Sequence, residues 1–278
     1  MQYKITVLGC GGSNGVPSIE NGYGDCDPNN IKNNRTRTSL LIDIFNNNEQ
    51  YSILIDVSPD FRYQALKNNI KKIDTILLTH HHSDHIYGIH ELRSINRLTK
   101  KPIDFYLNQD SLNAIKQCFY YLFNNKPPLL NNGTFFKPDI NFITLEDSVK
   151  NVNFISKVGS VSVDIAEQEH GKTKTLGFII DGQVGYIPDF SSIPKVELQK
   201  YKNISVLFIA TFLIKKHDSH ANLDEAIAVI KEIKPKEAYL VHMGDSLDYE
   251  LTLEKLQQIS KETTIVIRPS YDGMVILM

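Results

Sequence analysis

The segment Thr79-His80-His81-His82-Ser83-Asp84-His85 concentrates potential metal ligands more densely than any other stretch of the chain. His80, His82, Asp84 and His85 place three imidazoles and a carboxylate within six positions. Imidazole suits zinc, iron and similar divalent ions, and a carboxylate adds charge and bridging capacity. In an extended segment, positions 80 and 82 point the same way, so both can grip one ion. Asp84 and His85 then turn toward a second ion beside it. His81 points away from its neighbours and His90 lies on the helix that follows, so neither is expected to be a ligand.

Such a group needs elements to hold it. The spacing of apolar residues predicts a strand before it, over 75–79, and a helix after it, over 86–98, with Ile86, Ile89, Leu92, Ile95 and Leu98 on one face. The motif therefore sits on a strand-to-helix loop, where α/β folds place chemistry. Further strands are predicted over 4–8, 38–45 and 51–57, the last two joined as a hairpin through Asn-rich residues 46–50. Ile53-Leu54-Ile55 and Leu77-Leu78 are near-continuous apolar runs, as in strands covered on both faces. Helices are predicted over 60–69 and 111–123, and a long loop over 124–138. The second half repeats the mixture. It has predicted strands over 160–165, 176–180, 184–187, 205–209, 237–241, 264–267 and 274–277, and helices from Asn222 or Asp224 to Ile233 and over 250–259. Strands and helices interleave without an evident linker. The expected architecture is one α/β domain over 1–278, with sheets sandwiched between helices.

Composition excludes several classes. With 278 residues, 41% hydrophobic and 22% charged, the chain is not broadly disordered. A net charge of −2, from 30 basic and 32 acidic residues, gives no global pull toward nucleic acid. No apolar run reaches the ~18 residues of a membrane span, and the start reads as a strand rather than a secretory signal. Cys10, Cys26 and Cys118 are too few and scattered for a disulfide framework, which points to a reducing, cytoplasmic setting.

The form His-x-His-x-Asp-His at 80–85 resembles the metallo-β-lactamase-fold hydrolases. The resemblance implies a four-layer αββα sandwich and a site for two divalent ions, zinc or manganese foremost, with iron, cobalt or nickel also compatible. It extends the ligand set to His170, Asp189 and His242, each at the end or edge of a predicted strand. His80, His82 and His170 would hold one ion, Asp84, His85 and His242 the other, and Asp189 would bridge them. A hydroxide shared by the two ions would then be the nucleophile at neutral pH. Asp56, closing Ile53-Leu54-Ile55-Asp56, matches an early strand-end Asp that orients the His loop.

Four further segments narrow the branch: Gly9-Cys10-Gly11-Gly12-Ser13-Asn14-Gly15-Val16-Pro17, Asp25-Cys26-Asp27-Pro28-Asn29-Asn30 followed by Arg35-Thr36-Arg37-Thr38-Ser39, His217-Asp218-Ser219-His220-Ala221-Asn222-Leu223 and Tyr271-Asp272-Gly273-Met274. Together they resemble the phosphoribosyl cyclic phosphodiesterase group, related to the transfer-RNA 3′-processing ribonucleases. In that group a His before the late helix acts on the scissile phosphate. It matches His220, whose imidazolium would stabilise phosphorane charge or protonate the departing oxygen. His217 and Asp84 join it as candidate catalytic residues. Arg35, Arg37 and the glycine-rich loop are candidate phosphate contacts, each with a structural alternative. Only Cys26 stands where some members carry a cysteine cluster, so no additional structural zinc is expected. The expected substrate is a small cyclic or nucleotide-like phosphodiester. RNA is a weaker candidate, because the 124–138 loop offers only Lys126 and Lys137 for basic charge. Acyl hydrolysis, as by a thioesterase or lactonase, and a metal-binding scaffold are the other classes weighed. No membrane partner is expected. The resemblance allows a homodimer, although the sequence carries no interface signal.

Overall fold

The computed structural model describes residues 1–124, 137–146 and 148–278. Most of the predicted long loop, with Lys126, lies outside the described residues.

The first half contains β1 (Gln2–Gly9), β2 (Ser39–Asn46), β3 (Glu49–Ile55), α1 (Phe61–Lys67), β4 (Thr75–Leu77), α2 (Ser83–Ile86), α3 (Leu92–Thr99), β5 (Ile103–Asn108), α4 (Gln109–Cys118) and β6 (Ile140–Leu145). The second contains β7 (Asn151–Ser156), β8 (Gly159–His170), β9 (Thr173–Ile180), β10 (Val184–Ile187), α5 (Lys195–Gln199), β11 (Val206–Ala210), α6 (Leu223–Ile233), β12 (Glu237–Val241), α7 (Tyr249–Thr263), β13 (Val266–Pro269) and β14 (Val275–Leu277).

The strands form two seven-stranded sheets, in the orders β14-β1-β2-β3-β4-β5-β6 and β13-β12-β11-β10-β9-β8-β7. Each half begins antiparallel and continues parallel: β3 through β6 in the first sheet, β10 through β13 in the second. The final strand crosses back to pair with β1, tying the end of the chain to the first sheet. Apolar side chains such as Ile5, Ile42, Ile53, Val163, Phe178 and Phe208 fill the space between the sheets. Ile227, Ile230 and Ile233 of α6 and Leu256 of α7 join that core from beyond the second sheet. A separate cluster, including Leu54, Ile76, Phe105, Leu92 and Ile95, packs helices on the outer face of the first. The layers are therefore αββα, as expected. No helix among the described residues is long and apolar enough to cross a membrane.

Local chemistry explains most boundaries. Asn47 and Asn48 take positive φ in the two-residue β2–β3 turn, as Asp181 and Gly182 do between β9 and β10. Asn222 and Glu225 form a reciprocal capping box that starts α6. The strands β5, β6 and β7 and the short α5 were not anticipated. The single helix predicted over 86–98 is instead three pieces: α2, a 3₁₀ turn at Ile89–Glu91, and α3. The interruption falls at Gly88, whose amide donates to Val57 O. A Cβ there would lie 2.1 Å from Ser58 O. This close approach presses the start of the helical region onto the end of β3 and so sets where Asp84 and His85 stand. Leu98, expected on the apolar face, is 58% exposed.

Gly88→Ala should accordingly destabilise the metal-free protein by about 1–3 kcal/mol, the usual range for overpacking against a fixed backbone. Urea unfolding measures this, and an unchanged midpoint would show that the Ser58 carbonyl can retreat.

Candidate metal centre

The candidate residues converge at one edge of the sandwich, each just beyond or at the end of a strand: Asp56 after β3, the histidine segment after β4, His170 ending β8, Asp189 after β10 and His242 after β12. Both sheets contribute. Asp56 and His242 adopt left-handed backbone conformations, with φ of +60° and +57°. Asp and His tolerate this region better than most residues, and it turns each side chain off its strand.

Ligand atoms fall into two neighbouring groups. Those of His80, His82 and His170 lie within 4.8 Å of one another, as do those of Asp84, His85, Asp189 and His242. Asp189 links the two. Its Oδ2 is 3.2 Å from His242 Nε2, 3.6 Å from His85 Nε2, 3.8 Å from His80 Nε2 and 4.0 Å from His170 Nε2. Asp189 is 1% exposed, and neither carboxylate oxygen receives a hydrogen bond. His80 Nε2 and His85 Nε2 are likewise buried without a hydrogen-bond partner. Buried polar atoms of this kind are normally paired. A carboxylate and several imidazole nitrogens converging without donors between them suit a divalent cation, so the donor set fits metal ions.

Hydrogen bonds behind the ligands fix which nitrogen faces inward. His85 Nδ1–H donates to Asp56 Oδ2 at 2.7 Å. Thr79 donates to the same carboxylate through its amide and hydroxyl, and its Oγ1 accepts from His80 Nδ1 at 3.0 Å. Asp56 thus orients one histidine of each group, directly or through Thr79, and leaves both Nε2 atoms for the centre. His170 Nδ1–H donates to Ser219 O at 2.5 Å, with the same result.

Charge follows this arrangement in the metal-free protein. Burial alone would raise the Asp189 carboxyl, but His242, His85 and His80 hold it well below the usual range. Burial and the neighbouring His85 push His80 well down. Burial opposes charge on His85 too, yet Asp84 and Asp56 raise it well above an ordinary imidazole. Burial raises Asp56, against the pull of His85 and Thr79.

His220 stands beside the same carboxylate, with Nδ1 3.7 Å from Asp189 Oδ2 and its ring stacked on His242 at 5.2 Å. It is close enough to be grouped geometrically with His170 and Asp189. Burial lowers its pKa to about 3, so near neutral pH it is an imidazole rather than the expected imidazolium. His217 lies one ring further out. It is exposed, 5.1 Å from the His220 ring, and accepts from Ser219 N. His81 and His90 join neither group, and His90 pairs with Tyr121 OH.

The glycine-rich loop is tied into the protein by four of its amides. Its amides at Gly11, Gly12, Gly15 and Val16 all donate within the protein, to Thr36, Met243, Gly12 and Arg35 carbonyls. Arg35 is buried, bonding Gly244 O, Leu247 O and Asn33 Oδ1, and so serves the loop after His242 rather than a phosphate. Lys137 is also engaged, donating to Leu122 O and Asn124 O. Asp272 knits the segments together by accepting from Cys10 N and from Thr36 N and Oγ1. Sequence reasoning missed Phe212, whose ring lies 4.7 Å from His220 and 5.8 Å from His242. A Cβ on Gly12 would meet it at 2.7 Å. Its one signal was its place after β11, where the other strands also end in site residues.

The "Beta-lactamase superfamily domain" family model matches residues 51–243. A curated relative, an octanoyltransferase of Porphyromonas gingivalis (strain ATCC BAA-308 / W83), is 34% identical over 246 residues. The match covers 87% of this chain but 46% of that protein, so the chain spans about half the relative's length. Among solved structures, a diphosphatase from the PhnP family is 27% identical with a TM-score of 0.84, covering 100% of this chain and 98% of that one. The short form of human tRNase Z is 17% identical with a TM-score of 0.65, covering 98% of each chain, and shares the fold.

Two measurements follow. Zinc or manganese added to metal-stripped protein should raise its melting temperature, by about 2.7 kcal/mol of stabilisation at a hundredfold excess over Kd. Asp189→Asn should bind fewer ions and lose most of that rise. A full rise in the variant would remove Asp189 from the ligand set. The second concerns Asp272, which burial raises to about 6 against the pull of Thr36 and Cys10. Because its folded pKa exceeds the unfolded one, its contribution is complete below about 4 and lost as pH rises through about 6. Wild type should therefore lose stability relative to Asp272→Asn between pH 4 and 7. A constant difference would refute the shift.

Proposed function

The chain belongs to the β-lactamase superfamily of metal-dependent hydrolases, and on that footing we propose that it is a dinuclear phosphodiesterase acting on a small cyclic or nucleotide-like phosphodiester. One hydrolase domain over 1–278 fits the return of β14 to the first sheet. The observation that carries the reading is His220, an additional imidazole beside a carboxylate reachable from both ligand groups. Similarity over the whole of this chain to a PhnP-family diphosphatase supports hydrolysis at phosphorus.

His80, His82 and His170 would hold one ion and Asp84, His85 and His242 the other, with Asp189 between them. The ions, when bound, supply a water nucleophile at neutral pH and positive charge beside the phosphoryl oxygens. Asp56 and Thr79 keep His85 and His80 in the ligating tautomer throughout. His220 enters uncharged. An anionic phosphodiester beside it raises its affinity for a proton, which it then passes to the departing oxygen. Phe212 packs at a tilt against His220, 4.7 Å between ring centres, and holds the ring at that position.

A second reading, acyl hydrolysis, draws on the relative named an octanoyltransferase. More than half of that protein lies outside the match, so its named activity need not reside in the matched part. Acyl chemistry also has no evident use for His220.

Bis(p-nitrophenyl) phosphate hydrolysis by metal-stripped enzyme reconstituted with manganese or zinc separates the two. Turnover should depend on metal, vanish in Asp189→Ala and fall about 10²–10⁴-fold in His220→Ala. Octanoyl-thioester hydrolysis that survives His220→Ala, with no phosphodiester turnover, would establish the acyl reading instead.

A further inference from the structure

On the far side of the glycine-rich loop from the metal centre lies a cleft of about 650 Å³, a volume typical of small-ligand sites. None of the seven candidate ligands lines it, nor does His220. The loop separates the two places: Gly12 packs toward Phe212 and His242, whereas Gly15, Val16 and Pro17 face the cleft.

The cleft combines cations with aromatic rings. Arg37 is anchored by Asp60, whose Oδ2 accepts from its backbone amide at 2.9 Å and forms an ion pair with its Nε at 3.0 Å. Both Nη groups are left without a protein partner among the described residues, and Nη1 packs beside Gly15, 3.8 Å from where a Cβ would stand. An arginine held by Nε presents its remaining donors as a ready fork for a phosphate. Lys67 Nζ lies 3.3 Å from Asp272 O and 5.8 Å from the Tyr63 ring centre. Lys32 Nζ lies 5.6 Å from the Tyr271 ring and 3.7 Å from Glu250. Tyr63 is 55% exposed, an open face on which a planar base can stack. The acidic groups present are already engaged: Asp60 by Arg37, and Asp272 by Thr36 and Cys10.

We propose that this cleft is a second binding site, for a nucleoside monophosphate, with the phosphate on Arg37 and Lys67 and the base against Tyr63. The site does not depend on which bond the metal centre cleaves.

Calorimetric titration of the metal-loaded enzyme with AMP tests it. One AMP should bind per chain, at least tenfold more weakly in Arg37→Gln, Lys67→Gln and Tyr63→Ala. Hydrolysis of bis(p-nitrophenyl) phosphate should be unchanged in Lys67→Gln and Tyr63→Ala. Lys67 and Tyr63 are exposed, so their variants remain informative even if Arg37→Gln perturbs folding. Asp189→Ala should keep its AMP affinity. The proposal is overturned if AMP shows no saturable binding, if affinity is unaltered in Lys67→Gln and Tyr63→Ala, or if Asp189→Ala abolishes binding and so places AMP at the metal centre.

Discussion

Asp189 is enclosed where the two sheets meet, with four inward-facing imidazole nitrogens and His220 around it and no hydrogen-bond donor on either oxygen. Removing a carboxylate from water is expensive unless positive charge or donors replace the solvent. Neither sheet alone can supply them. The first delivers His80 and His85 from the end of β4. The second delivers His170, His242 and Asp189 itself from β8, β12 and β10. The sandwich thereby acts as a clamp that brings two sets of strand ends to one charge. The apolar core between the sheets supplies the driving force for closing it.

Convergence alone would leave the imidazoles free to rotate. Asp56 removes that freedom for two of them with one carboxylate, through His85 directly and through Thr79 to His80. It can do so because its left-handed backbone turns the side chain back under the β4 loop, and because Gly88 lets the helical segment approach Ser58. The unfavourable conformation at Asp56 is held by backbone bonds from its neighbours: Asp56 N to Leu77 O and Val57 N to His85 O. A local rule is broken here, and the surrounding packing maintains the exception.

Legibility in the sequence followed the same division between local and distant causes. The histidine segment was readable because four ligands lie within six consecutive residues. The apolar runs of β3, β4 and β11 were readable because both their faces are buried. His170, Asp189 and His242 are isolated in sequence, so only the resemblance singled them out. β7 was missed because three of its residues are exposed polar or apolar side chains at an edge, including Ile155 at 91% exposure. The break at Gly88 was invisible because the 3.6-residue period continues through it, and a contact 30 residues away in sequence overrides the period. Neither sequence reading of Arg35, a phosphate contact or the commoner solvated strand edge, matches its buried place, for a related reason: sequence shows its charge but not the three carbonyl and amide acceptors that enclose it.

The glycine-rich loop draws these threads together. Its composition allows either a phosphate cradle or a tight structural turn, and four of its amides, at Gly11, Gly12, Gly15 and Val16, are turned inward to carbonyls of residues 36, 243, 12 and 35. What the glycines provide is thinness. Gly11 and Gly12 let the strand segment at 35–37 and the loop after His242 approach with only backbone between them, and any Cβ would strike Arg35 O or Phe212. The loop is thus a partition. On one face it supports Phe212 against His220, and on the other it supports the Arg37 side chain beside Gly15. A thicker wall would displace both. The absence of side chains at these positions therefore sets the spacing between the metal centre and the Arg37 cleft, where both Arg37 Nη groups stand without a partner among the described residues.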